Sequence, residues 1–143
     1  HNHTLEISEQ RDNYFHQICK YLSKFGGASL IIDYGYFDNP NNFTLQSISN
    51  HQKASIFDNP GRQDITSLVN FKRLIEIAKQ YMLNIYTFCS QKEFLQSHGI
   101  EKRKNTILKK CNNKQKDIIE KGYERLIDEN KMGSLFKVLI VTK

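Results

Sequence analysis

The stretch "GGASLIIDYGYFDNP", residues 26–40, joins a glycine pair to an apolar run that stops abruptly on a carboxylate, an aromatic ring and a glycine. Residues 28–34 lack polar alternation and are β-branched at Ile31 and Ile32, which suits a strand covered on both faces, as in parallel sheets. On the amino-terminal side, Phe15, Ile18, Cys19 and Leu22 recur at helical spacing, so residues 8–24 are predicted to form a helix. Gly26 and Gly27 supply its stop.

On the carboxyl-terminal side, residues 37–61 carry both prolines and many Asn and Ser residues, and read as a long loop. Asn70 can cap a second helix whose Phe71, Leu74, Ala78 and Tyr81 share a face. Residues 83–89 alternate as a second strand. Ser90 and Glu93 then have the spacing of a capping box, opening a short helix that ends at Gly99. A basic stretch, 102–116, follows. Ile118, Ile119, Tyr123, Leu126 and Ile127 give a last helix its apolar face, and "SLFKVLIVTK", 134–143, reads as a terminal strand. Helix, strand, helix, strand, helix, strand is the pattern of an α/β sheet.

With 143 residues, 38% of them hydrophobic and 25% charged, the chain has the balance of one soluble domain or part of a larger one. No run approaches the roughly 18 to 20 apolar residues of a membrane span, and the start of the chain lacks the apolar core of a signal peptide. Cys19, Cys89 and Cys111 are scattered and without C-x-x-C spacing, so neither a disulfide framework nor a zinc site is indicated. His1, Asn2 and His3 resemble the end of an expression tag rather than a nuclease motif, and residues 1–7 are set aside as a tag remnant or disordered start.

Open α/β sheets bind ligands beyond the carboxyl ends of their strands, which is where Asp33, Tyr34 and Gly35 stand. A carboxylate there can reach a polar ligand and a glycine lets the backbone come close. Asp33 as a turn cap and Gly35 as the residue that permits the turn account for the same letters equally well.

The blocks "GGASLIIDYGY", "TLQSISNHQ", "NPGRQDITSLVNF", "QKEFLQSHGI", "RLID" and "MGSLFKVL" resemble, in order, the closing blocks of the MidA-type family of S-adenosylmethionine-dependent methyltransferases. The resemblance covers residues 22–139. It implies the carboxyl-terminal portion, residues 8–143, of a class I, Rossmann-like methyltransferase domain. The three strands would then be the fifth, sixth and seventh, with the last antiparallel between the other two. The mitochondrial members of that family are complex I assembly factors similar to protein arginine methyltransferases. By resemblance the cofactor is S-adenosylmethionine, the substrate a protein, and the location cytoplasmic for a bacterial chain or the mitochondrial matrix for a eukaryotic one.

The family's donor-binding elements, a glycine-rich loop after the first strand and an acidic residue after the second, have no counterpart here. The chain's seven glycines include no G-x-G. The chain alone is therefore expected to be inactive, and to need a missing amino-terminal half or a second copy of itself along the strand at 28–34. On the acceptor side, Asp33 is the candidate that orients an arginine. Tyr34 and Tyr36 can wall a cation site beside Gly35. His51, matching a family histidine, contacts substrate or ties down the long loop. Asp64 and Thr66 match another family block or cap the entry to the second helix.

Two readings compete with methyl transfer. The chain can be a non-catalytic fragment or split-gene product acting only by pairing with another polypeptide. The lysines of 102–116 can instead meet phosphates, as in a nucleic-acid-binding module. Glu101, Asp117 and Glu120 interrupt that field and no aromatic rings interleave with the lysines, which points to a solvated face.

Overall fold

The computed structural model describes residues 6–38, 40, 42–49 and 52–143. It opens with α1 (Glu9–Phe25), which carries Glu9 and Asp12 in its first turn and Lys24 in its last, complementing the helix dipole. Its stripe of Phe15, Cys19 and Leu22 is buried. Gly26, at φ 75°, returns its N–H to the Leu22 carbonyl and ends the helix.

The chain continues as β1 (Ala28–Tyr36), β2 (Gln46–Ser49), β3 (Gln52–Ala54), β4 (Asp64–Thr66) and β5 (Val69–Asn70). Next come α2 (Phe71–Gln80), β6 (Asn84–Ser90), α3 (Gln91–Ser97), α4 (Ile100–Leu108), α5 (Asn113–Ile127), α6 (Met132–Leu135) and β7 (Phe136–Thr142). The principal sheet has the order β5-β1-β7-β6. β7 is antiparallel to both β1 and β6, so those two run parallel with the last strand between them. The expected mixed sheet is thus present. β1 and β7 stay in register from Ala28↔Thr142 to Tyr34↔Phe136, whereas β5 meets β1 only at Gly35 and Tyr36.

One face of the sheet packs Leu139 and Val141, with Ile31, Ile85 and Phe88 beside them, against α1 and α2. The Asn70 side chain accepts from the Arg73 N–H and caps α2, and the Ser90–Glu93 capping box starts α3. On the other face Val138 is fully buried, and Gln91 donates to the Leu126 carbonyl at 2.9 Å, fastening α3 to α5.

Several sequence expectations need correction. Residues 28–34 are covered on one face only: Leu30, Ile32 and Tyr34 are 55%, 45% and 46% exposed. The described residues cover that face only in part. The segment expected as one loop holds β2 and β3, which join β4 in a three-stranded antiparallel sheet. Those strands are three or four residues long and mostly polar, so no period of two shows in them. Asp64 and Thr66 lie in β4 and do not cap α2. The basic stretch is helical through α4, and the helix expected to carry Ile118 to Ile127 is α5, which starts at Asn113, where Asn112 and Gln115 form a second capping box. Residues 134 and 135 close α6, and the last strand begins at Phe136.

α1 and α2 are also held by charge. Asp12 accepts from Arg11 at 2.7 Å and from Arg73 Nε at 2.8 Å. Burial pushes the Asp12 carboxyl up, but the hydrogen bonds and charges of Arg73 and Arg11 outweigh it and hold the group below its ordinary value. Because the folded value is depressed, the pair stabilises the fold above about pH 4 and loses that contribution as the pH falls through the folded value. Asp12→Asn is expected to lower stability by about 1 kcal/mol near neutrality, a modest loss because Arg73 is half-exposed. Urea unfolding at a series of pH values should show the gap between the two proteins closing toward pH 3.

Candidate functional site at the carboxyl ends of the strands

β1 and β6 end on the same side of the sheet, at Tyr36 and Ser90, and β7 enters there at Phe136. Cross-strand register sets Asp33, Lys137 and Ser90 side by side on three adjacent strands. Asp33 is exposed, its Oδ1 accepts from the Tyr34 N–H at 2.8 Å, and it makes no ion pair among the described residues. It lies within β1, three residues before the end, so it caps no turn. Lys137 donates to the Ser134 carbonyl. Burial pulls the Lys137 amine below its usual value, with Glu93 opposing.

Successive strand residues face opposite sides of a sheet. Tyr34 therefore shares the half-open face with Leu30 and Ile32, while Asp33 goes with Ile31 and Gly35. The Tyr34 ring rests on Phe136, its cross-strand partner, with centroids 4.0 Å apart. On the other side Phe37 packs on Phe88 at 5.2 Å, and Phe88 on Phe71 at 5.7 Å. Asp33 and Tyr34 thus flank the strand rather than form one wall.

Gly35 is buried, and a Cβ there would lie 2.5 Å from Phe71 Cδ2 and 2.6 Å from the Val69 carbonyl oxygen. The close approach it permits is to Phe71 and β5. Tyr36 is half-buried, and burial, followed by the negative charge of Glu6, pushes its hydroxyl up. Glu6 accepts from the Thr44 N–H at 2.7 Å and the Leu45 N–H at 3.3 Å, and also from the Thr44 hydroxyl. Thr44 Oγ1 in turn accepts from the Leu68 N–H at 3.1 Å. These bonds hold the segment leading into β2 against the start of the chain. His51 lies outside the described residues.

Lys137, Phe136 and Glu6 were not among the sequence candidates. Lys137 had a signal, as the single charge inside "LFKVLIV". Glu6 had none, because its role depends on a partner 38 residues away.

A mixed sheet whose last strand runs antiparallel between two parallel neighbours, with helices on its faces, is the closing half of a class I methyltransferase sheet. Residues 1–89 match the family described as "Putative S-adenosyl-L-methionine-dependent methyltransferase", and the chain belongs to that family. It is 33% identical over 135 residues to the mitochondrial protein arginine methyltransferase NDUFAF7 homolog of Caenorhabditis elegans, covering 94% of this chain and 31% of that protein. The Drosophila melanogaster homolog is 31% identical with the same coverage. The chain spans about a third of the length of these curated relatives.

Among solved structures, an uncharacterized Burkholderia thailandensis protein superposes with a TM-score of 0.81 at 25% identity, over 96% of this chain and 38% of its own. A Burkholderia thailandensis structure bound to S-adenosyl-homocysteine superposes at 0.79 and 24% identity, over 96% of this chain and 36% of its own, and shows the shared fold.

The packing around Gly35 can be tested by Gly35→Ala. In an ordinary strand this exchange is neutral or favourable; here it is expected to cost about 1–3 kcal/mol of overpacking, read from urea unfolding. Unchanged stability would mean that Phe71 does not require the glycine.

Proposed function

We propose that this chain is the acceptor-side portion, residues 8–143, of an S-adenosylmethionine-dependent protein arginine methyltransferase. The observation that carries the reading is the sheet itself: family membership together with a closing β1-β7-β6 arrangement whose β1 edge, residues 28–34, has no second partner among the described residues. That edge receives the rest of the enzyme, or a second copy of the chain in its absence. The named relatives supply the acceptor class, since they are called protein arginine methyltransferases and mitochondrial. The resemblance adds complex I assembly as the setting, the mitochondrial matrix for a eukaryotic source and the cytoplasm for a bacterial one.

The residues present do not fit a donor cradle. Gly26 and Gly27 precede β1 instead of following a strand, and the space at Gly35 is filled by Phe71. Donor binding therefore belongs to the part of the relatives' length that this chain does not span. Methyl transfer needs the acceptor nitrogen held in line with the methyl group, and an arginine acceptor needs a carboxylate to orient its guanidinium. Asp33, exposed near the carboxyl end of β1 and without an ion pair among the described residues, has the charge and position for that role. Tyr34 and Tyr36 are kept as substrate-binding candidates on the opposite face of β1, Gly35 keeps β5 close, and His51, outside the described residues, is carried by the family resemblance alone.

Calorimetry of the 143-residue chain with S-adenosylmethionine should show negligible heat; micromolar binding would contradict the division of labour. In a polypeptide that also carries the donor-binding part, Asp33→Asn should lower turnover on a protein substrate by roughly a hundredfold or more while leaving donor affinity nearly unchanged. Loss of donor binding or of folding instead would assign Asp33 a structural role.

A further inference from the structure

Beyond the sheet, α4 and α5 enclose a cleft of about 440 Å³. Leu95, Ile100, Ile107, Ile119 and Leu126 line it together with Arg103 and Lys104, and Gly122 lies in its wall on α5. Neither helix has a fully buried residue. Six of the seven glycines answer a local demand, either a positive φ or a contact that excludes a Cβ. Gly122 answers none: its backbone is ordinary helix and a Cβ would meet nothing within 4 Å. A glycine in mid-helix costs roughly 0.5–1 kcal/mol relative to alanine. It is explained where another backbone must come close.

Arg103 and Lys104 are the Lys/Arg side chains in the lining, and they belong to a basic stretch flanked by Glu101 and Asp117. Residues 102–116 hold seven cations and no carboxylate, and none of those cations has an ion pair among the described residues. The acids of α5 are partly engaged already, Asp117 with Lys121 and Glu124 with Lys131. Lys104 lies over the Tyr123 ring at 3.9 Å, and the Tyr123 hydroxyl donates to Glu101 at 3.0 Å.

We propose that this cleft docks an acidic amphipathic helix of a protein partner, packed against Gly122 with its carboxylates facing Arg103 and the neighbouring lysines. The groove between two helices accepts a third by ridge-into-groove packing, and a glycine there permits the closest approach. A second copy of this chain, itself at +6, would bring like charge to the cleft. A flat membrane surface does not reach Gly122. The lining holds two aromatic rings, Tyr123, covered by Lys104, and His98, stacked on Phe94 with centroids 4.1 Å apart, so bases find no clear stacking platform.

The test is fluorescence anisotropy of the 143-residue chain with a labelled helical peptide carrying Leu at i, i+3, i+4 and i+7 and Glu elsewhere. A peptide of the same composition with its leucines scattered around the helix is the control. The amphipathic peptide should bind at least about tenfold more tightly than the control, with affinity falling as salt rises. Gly122→Leu should weaken it by a similar factor without lowering the thermal midpoint, and Arg103→Glu should weaken it as well. Ile107→Glu, on the opposite wall, serves the same purpose if Gly122→Leu unfolds. Equal binding of the two peptides, or full binding by Gly122→Leu, would overturn the proposal. So would RNA or anionic vesicles that displace the peptide and bind the Gly122→Leu variant undiminished, which would assign the patch to a charged surface.

Discussion

β7 is the strand on which the rest of the molecule depends. β1 and β6 have no direct pairing with each other; each is joined to the sheet through β7, with full register on both sides apart from an irregularity between Ile85 and Thr87. Val138, Leu139 and Val141 are completely buried and alternate between the two faces, so this strand anchors both helical layers. A last strand that must insert between two earlier ones cannot pair until those are in place. The sheet therefore closes through contacts between residues far apart in sequence, the slow kind to form.

The same arrangement leaves β1 half-finished. Its outer edge is unpaired through residues 28–34 among the described residues, and the face beside that edge exposes Leu30, Ile32 and Tyr34. A free edge and a partly uncovered apolar face on one strand are what the proposed remainder of the enzyme would cover. Each large apolar side chain there is half-exposed and forgoes half of the roughly 1.5–3 kcal/mol that full burial contributes. Natural edges are protected by charge, proline or bulges; Asp33 is the single charge in residues 28–34. The chain spans about a third of the length of the curated relatives it matches.

Where the signal was periodic, the chain was readable. The stripe of α1, the Asn70 cap of α2 and the Ser90–Glu93 box all stand where spacing and capping chemistry placed them. The position of β7 between its neighbours came from the family resemblance, since periodicity says nothing about strand order. β2, β3 and β4 were hidden because their strands are short and polar and are held by pairing between segments. α4 was hidden because its lysines mask a weak apolar stripe. At the site, the carboxylate at the end of β1 was legible, but the reason for Gly35 was not, because Phe71 is 36 residues away in sequence and arrives only through the crossover. Nor did the letters show that alternation parts Asp33 from Tyr34.

The central claim is that the outer edge of β1 is an internal seam of a larger methyltransferase. Hydrogen exchange of the β1 amides, followed residue by residue, tests it most directly. In an antiparallel pair only every second residue directs its N–H toward the partner. The 143-residue chain alone should therefore show alternating protection across residues 28–34, slow where the N–H meets β7 and fast where it faces outward. In a polypeptide that carries the donor-binding part, both sets should become slow. Fast exchange of the outward set in both proteins would show that the edge is an ordinary surface, and the account would fail.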